Sequence, residues 1–295
     1  MKDVETGPLT PADAAAVARV WRACEEHADG RALFTEDDFL ATCARPSTKL
    51  ERDTVGVRDG DELVAVGMLH GDEDAFVGVL PSHRGRGIGA ALLRWSQDAA
   101  RAAGHARTCQ TLSVNDRSAI ALLEAGGYER GWEGWIFHVE LDREPDPRAL
   151  APGYALREFV AGRDDRAVHR LVEDAFGEWR DADEGTFEDW AAATLGRPGF
   201  VPEHIGTVVR GEDVVGVAVL IREEAALWVA QLAVERSHRG RGLARALLVH
   251  AFAIAWRSGL RRCGLATDAR TGARGLYEDV GMHVTRTTWE YAKLL

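Results

Sequence analysis

Residues 82–87 and 237–242 of this 295-residue chain are the same six, Ser-His-Arg-Gly-Arg-Gly, 155 positions apart. A repeat at that period predicts two copies of one structural plan, each near the usual size of a domain. The surroundings repeat as well. Each copy follows an apolar run of strand character, residues 76–80 and 228–234. Each precedes a helical pattern, with Ile88, Leu92, Trp95 and Ala99 in one and Leu243, Leu247, Ala251 and Ile254 in the other. Glycines at 104 and 259 mark the ends of those helices. Upstream, Asp59-Gly60 and Gly211-Glu212-Asp213 sit between apolar runs, a hairpin signal in both halves. Helices are predicted over about 11–26, after a cap at Thr10, and about 164–176. Each repeat closes on an aromatic-rich segment, 132–139 and 284–291.

The expected order in each copy is β-α-α-β-β-β-α-β-α-β-β, a mixed α/β layer. Three prolines within residues 145–152 predict a stiff, exposed connector. The expected domains are therefore 1–142 and 153–295, joined by 143–152. Composition agrees with two globular domains, at 46% hydrophobic and 28% charged.

The formal net charge of −11 argues against nucleic acid or an acidic membrane surface as a partner. The N-terminal stretch MKDVETGPLT has no apolar signal core, and no apolar run reaches the length of a bilayer span. A cytoplasmic protein, monomer or homodimer, is expected. Cys24, Cys43, Cys109 and Cys263 form no CxxC pair and no metal spacing, so reduced thiols and no metal are expected. Cys109 and Cys263, 154 apart, read as equivalent core positions.

The repeated loop carries the chemistry. Arg84, Gly85, Arg86, Gly87, Ile88 and Gly89 leave a strand and enter a helix, as do Arg239, Gly240, Arg241, Gly242, Leu243 and Ala244. Glycines let backbone N–H groups converge, a helix start adds more of them, and arginines add charge, which together suit a pyrophosphate. The bland alternative is a glycine turn capping a surface helix. Neither copy has the Gly-Lys-Ser/Thr of a P-loop. A dinucleotide fingerprint fits the first copy and fails in the second, where Arg245 takes the third place. His83 and His238, beside the arginines, read as solvent-facing.

Strand, then (Q/R)xxGx(G/A), then a long helix resembles the signature of the GNAT acetyltransferases. Arg84, Gly87 and Gly89 match it, as do Arg239, Gly242 and Ala244, and Leu276-Tyr277-Glu278-Asp279-Val280-Gly281-Met282 is similar to that family's LYExxGF, with Met282 for phenylalanine. The resemblance implies two tandem GNAT-like domains, each with a mostly antiparallel sheet flanked by helices. It implies acetyl-CoA as cosubstrate, held by the loops and by strand backbone at Val79 in one half and Leu232, Ala233 and Val234 in the other. It implies direct acetyl transfer to a primary amine of a small molecule. A tyrosine in the closing motif then serves as general acid. Tyr277 holds that place, with Leu123 opposite it in the first repeat, so the second domain is expected to be active and the first impaired. A buried aromatic of no chemical role remains the alternative for Tyr277.

The family's strand carboxylate or histidine falls at Trp228, and its repeat partner at Glu73. Glu223, Glu224 and Asp268 are the substitute bases within reach, each also readable as a solvated carboxylate. An acidic stretch with Trp179, residues 173–184, reads as a cation-accepting loop or as plain solvated surface. The narrower group of mycothiol synthases, which acetylate a cysteinyl amine, shares the tandem plan. A non-catalytic acyl-CoA-binding sensor is the rival from another class.

Overall fold

The computed structural model describes residues 4–70, 74–178 and 185–295, and the duplicated pattern becomes two units. The first half runs β1 (Val4–Gly7), α1 (Ala14–Asp29), α2 (Glu36–Cys43), α3 (Leu50–Asp53), β2 (Thr54–Asp59), β3 (Glu62–His70), β4 (Asp74–Val79), α4 (Ile88–Ala102), β5 (Arg107–Ser113), α5 (Arg117–Ala125) and β6 (Glu129–Glu140). The second runs β7 (Ala155–Glu158), α6 (Asp165–Gly177), α7 (Phe187–Thr194), β8 (Ile205–Arg210), β9 (Asp213–Arg222), β10 (Leu227–Val234), α8 (Leu243–Arg257), β11 (Arg262–Asp268), α9 (Arg274–Glu278) and β12 (His283–Leu294). Each repeat ends on one strand of 12 residues, where two short strands were expected. No glycine or proline pair interrupts the alternation late in either segment, so nothing turns the chain back.

Those long strands move the domain boundaries. Unit 1 is Met1–Glu133 with Arg286–Leu295, and unit 2 is Gly134–Thr285. In unit 1 the sheet order is β1-β2-β3-β4-β5-β12; in unit 2 it is β6-β11-β10-β9-β8-β7. Residues Thr288 to Leu294 of β12 pair antiparallel with β5, and Gly134 to Glu140 of β6 pair antiparallel with β11. Each sheet is thus closed by a strand encoded in the other half of the sequence. The expected connector 143–152 belongs wholly to unit 2, where Leu150 and Tyr154 pack on the core and Leu141 N–H donates to Arg261 O at 2.7 Å. Prolines marked exposed chain correctly; strand pairing, which they do not report, sets the division.

The central strands are apolar on both faces because helices cover both. In β3, Leu63 through Leu69 are all buried, as are Val215 through Leu220 of β9. In unit 2, α8 packs one face through Leu243, Leu247 and Phe252, while α6 and α7 cover the other through Val168, Leu171, Val172 and Trp190. In unit 1, Phe76 meets Trp21 of α1, and its neighbour Ala75 meets Ala99 and Ala100 of α4. Successive strand residues face opposite sides, so the two helices lie on opposite faces.

The same alternation corrects the reading of the cysteines. Cys263 lies in the core under α8, whereas Cys109 Sγ donates to Asp74 Oδ1 at 2.9 Å on the other face of its sheet. Strands β5 and β11 correspond at the loop's spacing of 155, Arg107 to Arg262. A spacing of 154 is therefore one residue out of phase, which flips the side chain. All four cysteines are free thiols.

Candidate active site

Each sheet forks. The parallel pair β10 and β11 is joined only at Leu227 with Cys263 and Trp228 with Gly264; beyond that rung the strands separate. In unit 1, among the described residues, β4 and β5 meet only at Asp74 with Cys109. Parallel strands that part this way leave two edges of backbone N–H and C=O groups unpaired, ready for an extended ligand to pair with.

The forks differ in one respect. Strand β4 pairs with β3 without a break, from His70–Asp74 to Ala65–Val79. In unit 2, Val229 and Gln231 pair with the consecutive residues Leu220 and Val219. Ala230 is the extra residue of a bulge there, its backbone groups turned out of the ladder. The extra residue also shifts the correspondence between repeats. Trp228, opposite Ile221 and Gly264, matches Asp74, opposite His70 and Cys109, and not Glu73. Glu73 lies outside the described residues.

The SHRGRG loops sit at the mouths of the forks. Gly85 and Gly87 have φ of 77° and 82°, Gly240 and Gly242 of 75° and 77°. Side chains rarely tolerate that conformation. A Cβ built on any of the four meets nothing within 4 Å, so the loop's outer surface is open. Helices α4 and α8 begin at Ile88 and Leu243 with no side-chain cap, and the first helical bonds are Ala91 N to Gly87 O and Ala246 N to Gly242 O. The N–H groups before those bonds point out of the helix start, where its dipole is positive. Converging N–H groups at the positive end of a helix make a cradle that suits an anion such as a pyrophosphate.

The arginines divide their work. Arg84 Nε donates to Val79 O at 3.3 Å and its two terminal nitrogens to Asp116 at 3.0 and 2.9 Å. Arg239 repeats this with Val234 O at 2.9 Å and Glu178 at 2.7 and 2.9 Å. The first arginine of each motif therefore pins the loop to its strand, with its charge answered by a carboxylate. Arg86 and Arg241 remain outward; Arg86 reaches Asp59 only at 3.5 Å, and Arg241 folds back to Ser237 O. The histidines are not solvent-facing. His83 and His238 side chains are each 12% exposed, because a tight helical turn swings them inward. His238 Nδ1 meets the Tyr154 hydroxyl at 2.8 Å.

Tyr277 lies on α9, buried, its ring 5.4 Å from that of Phe137. Burial pushes its hydroxyl above the ordinary tyrosine range; a hydrogen bond with Thr267 pulls the other way, and the Asp268 charge adds to the rise. The phenol is held protonated, as a proton donor must be. The place of Leu123 in unit 1 is a plain apolar core position. Of the base candidates, Asp268 caps the turn at 269–271, accepting from Arg270 N at 2.9 Å, and pairs with the Arg270 guanidinium at 2.8 Å. Glu224 sits exposed on the bend between β9 and β10, next to Glu223, which is half-buried there. Neither bend residue is on the forked stretch of β10.

Two described carboxylates of the acidic stretch are engaged with the fold. Glu173 is buried and accepts from Gly185 N at 2.8 Å, tying down the chain that leads into α7. Glu178 is spent on Arg239. Residues 179–184, Trp179 included, lie outside the described residues. Sequence reasoning passed over Gln231 and Trp190. Trp190 Nε1 donates to Gln231 Oε1 at 3.0 Å beside the bulge, so α7 fixes a polar side chain at the fork.

In unit 1 the fork opens into a cavity of about 640 Å³ that runs from Trp21, Phe34 and Phe76 to Gly85, Gly87 and Gly89 of the loop. Among the described residues no cluster of side chains suited to a metal is present, and no helix is long and apolar enough to cross a membrane.

Residues 15–128 and 165–282 each match the model of the acetyltransferase (GNAT) family. The chain belongs to the GNAT family. It is an acetyltransferase of tandem architecture, and GNAT acetyltransferases use acetyl-CoA. Among named proteins it is similar to the mycothiol acetyltransferases of Sanguibacter keddieii, 34% identical over 72% of this chain and 69% of that one. That of Kineococcus radiotolerans is 31% identical over 97% and 95%. Among solved structures, a GCN5-related N-acetyltransferase from Sphaerobacter thermophilus superposes with a TM-score of 0.79 at 29% identity, covering 100% of this chain and 96% of that one. A tandem GNAT protein from the clavulanic acid pathway shares the fold, with a TM-score of 0.76 at 20% identity over 99% and 98%.

Proposed function

We propose that this GNAT protein moves acetyl from acetyl-CoA to the primary amine of a small molecule, and that unit 2 performs the chemistry. One observation carries the assignment: among the described residues, only unit 2 combines the forked strands, the bulge at Ala230 and a tyrosine on the closing helix. Unit 1 keeps the fork and the cradle but has an unbroken β4 and Leu123.

The geometry supports the following division of labour. Loop residues Gly240 to Ala244 hold the pyrophosphate, and the free edge of β10 aligns the pantetheine arm. Backbone N–H groups at the bulge stabilise the charge that grows on the thioester oxygen. Tyr277 protonates the departing sulfur. The cavity of unit 1 makes it a second acetyl-CoA site without turnover. The acceptor that the relatives' name supports is the desacetyl form of mycothiol, whose cysteinyl amine is a primary amine on a small polar molecule.

The test is acetyl transfer from acetyl-CoA to desacetyl mycothiol, followed by chromatography of the product. Tyr277→Phe is expected to lower kcat by about 10²-fold or more while acetyl-CoA binding holds. Wild-type protein that binds acetyl-CoA and acetylates no amine would leave the sensor reading standing instead.

A further inference from the structure

The strand that closes unit 2 brings a histidine to the fork. In β6, His138 pairs with Gly264 of β11, and Gly264 pairs with Trp228 at the last rung before β10 and β11 part. The three residues form one row across the vertex of the fork. His138 is buried, with its ring 6.1 Å from that of Trp228. Gly264 makes the row possible. A Cβ there would lie 2.8 Å from His138 Cδ2 and Nε2 and 2.9 Å from Trp228 Cε3.

The ring is oriented by a defined chain of bonds. His138 Nδ1 lies 2.7 Å from Thr285 Oγ1, which in turn lies 3.3 Å from Ile136 O. With the Thr285 hydrogen turned to Ile136 O, Nδ1 carries the proton and Nε2 the lone pair. Nε2 is the nitrogen on the Gly264 side. Tyr277 packs against Phe137, the neighbour of His138, and adjacent strand residues face opposite ways. Acid and base thus flank the fork from the two faces of one sheet. The matching row in unit 1 is Asp74, Cys109 and Ala292, so its closing strand brings alanine where β6 brings histidine.

We propose that His138 is the general base of unit 2, standing in for the strand carboxylate that Trp228 has replaced. The proposal rests on the reading that unit 2 transfers acetyl to an amine. The acceptor ammonium gives one proton to His138 Nε2, directly or through one water. The neutral nitrogen forms the C–N bond as the C–S bond breaks. Tyr277 gives its proton to the sulfur, and the second nitrogen proton restores Tyr277. The imidazolium releases its proton to solvent, so one proton leaves per turnover.

His138→Asn keeps a donor for Thr285 and loses the basic nitrogen. With desacetyl mycothiol as acceptor it is expected to lower kcat at neutral pH by about 10²-fold or more. Its acetyl-CoA Kd by calorimetry should stay within about twofold of wild type, and its rate should climb with pH as the amine's own ionisation takes over. Wild-type kcat in His138→Asn would overturn the proposal. So would a loss matched by weaker acetyl-CoA binding and a lower Tm, because a structural histidine gives that pattern. A second measurement needs no acceptor: long-range ¹H–¹⁵N spectra of the histidines in the full chain. They should report His138 as the Nδ1–H tautomer, with signals that move when acetyl-CoA is added. An Nε2–H tautomer, or no response to acetyl-CoA, sinks the role of His138. Wild-type protein that fails to acetylate while His138 passes this second test sinks the acceptor reading alone.

Discussion

His70 closes β3 in unit 1, with Nε2 2.9 Å from Arg45 Nη1 and its ring 5.8 Å from that of Phe76. Burial, and then the Arg45 charge, push its pKa down to about 3. The unfolded chain binds that proton near pH 6.5 and the folded chain does not. Stability from this residue is therefore complete above pH 6.5 and lost as pH falls toward 3, by at most ~1.4 kcal/mol per pH unit. Urea midpoints at pH 7.5 and 5.0 measure the loss; His70→Gln is expected to lose less over that interval than wild type, and an equal loss refutes the assignment. Individual residues were unevenly legible in the sequence. Tyr277, the loop glycines and the arginines were legible as candidates because short motifs carry them. His138 was missed because it follows the first repeat by number and enters unit 2 only through strand pairing. The carboxylate partners of Arg84 and Arg239 were hidden for a similar reason: Asp116 and Glu178 are 32 and 61 positions away.

At the scale of elements, the strand–loop–helix of each repeat was legible because it is local. The apolar runs, the glycines and the helical periodicity sit within 30 residues of one another. The bulge at Ala230 was not, since one extra residue in a strand leaves the apolar alternation of its surroundings almost intact. That is why Trp228 was matched to Glu73 and not to Asp74. The loops also give a clean test of whether both units bind. Gly242→Ala forces a side chain onto a φ of 77°, at a cost of about 1–2 kcal/mol, which the loop relieves by turning its N–H groups away. Gly87→Ala does the same in unit 1, at 82°. Calorimetry with acetyl-CoA is expected to give two equivalents per chain for wild type and one tight equivalent for each variant. Turnover should fall only in Gly242→Ala. One equivalent in wild type, lost in Gly242→Ala and kept in Gly87→Ala, would make the loop of unit 1 purely structural.

At the scale of the molecule, the duplication predicts two halves that could be separated at the proline-rich connector, and the strand pairing says otherwise. Strand β12 gives unit 1 a buried Tyr291, whose hydroxyl donates to Glu124 at 3.0 Å, and Glu290, paired with Arg107 at 2.5 Å. It also gives Arg286, held between Glu25 and Asp29 of α1 at 2.9 and 2.8 Å. Losing one buried aromatic from such a site costs about 3–5 kcal/mol, a large share of the 5–15 kcal/mol that holds a typical domain. Unit 2 depends in the same way on Phe137 and His138 of β6. A fragment of residues 1–142 is therefore expected to lack a cooperative thermal transition, and so is one of residues 153–295. Mixing the two should restore both transitions together with acetyl-CoA binding, since every strand is then present. Circular dichroism melts of each fragment and of the mixture decide it. A fragment 1–142 that melts cooperatively by itself would mean that unit 1 closes its sheet without β12, and that the division of the chain follows the duplication after all.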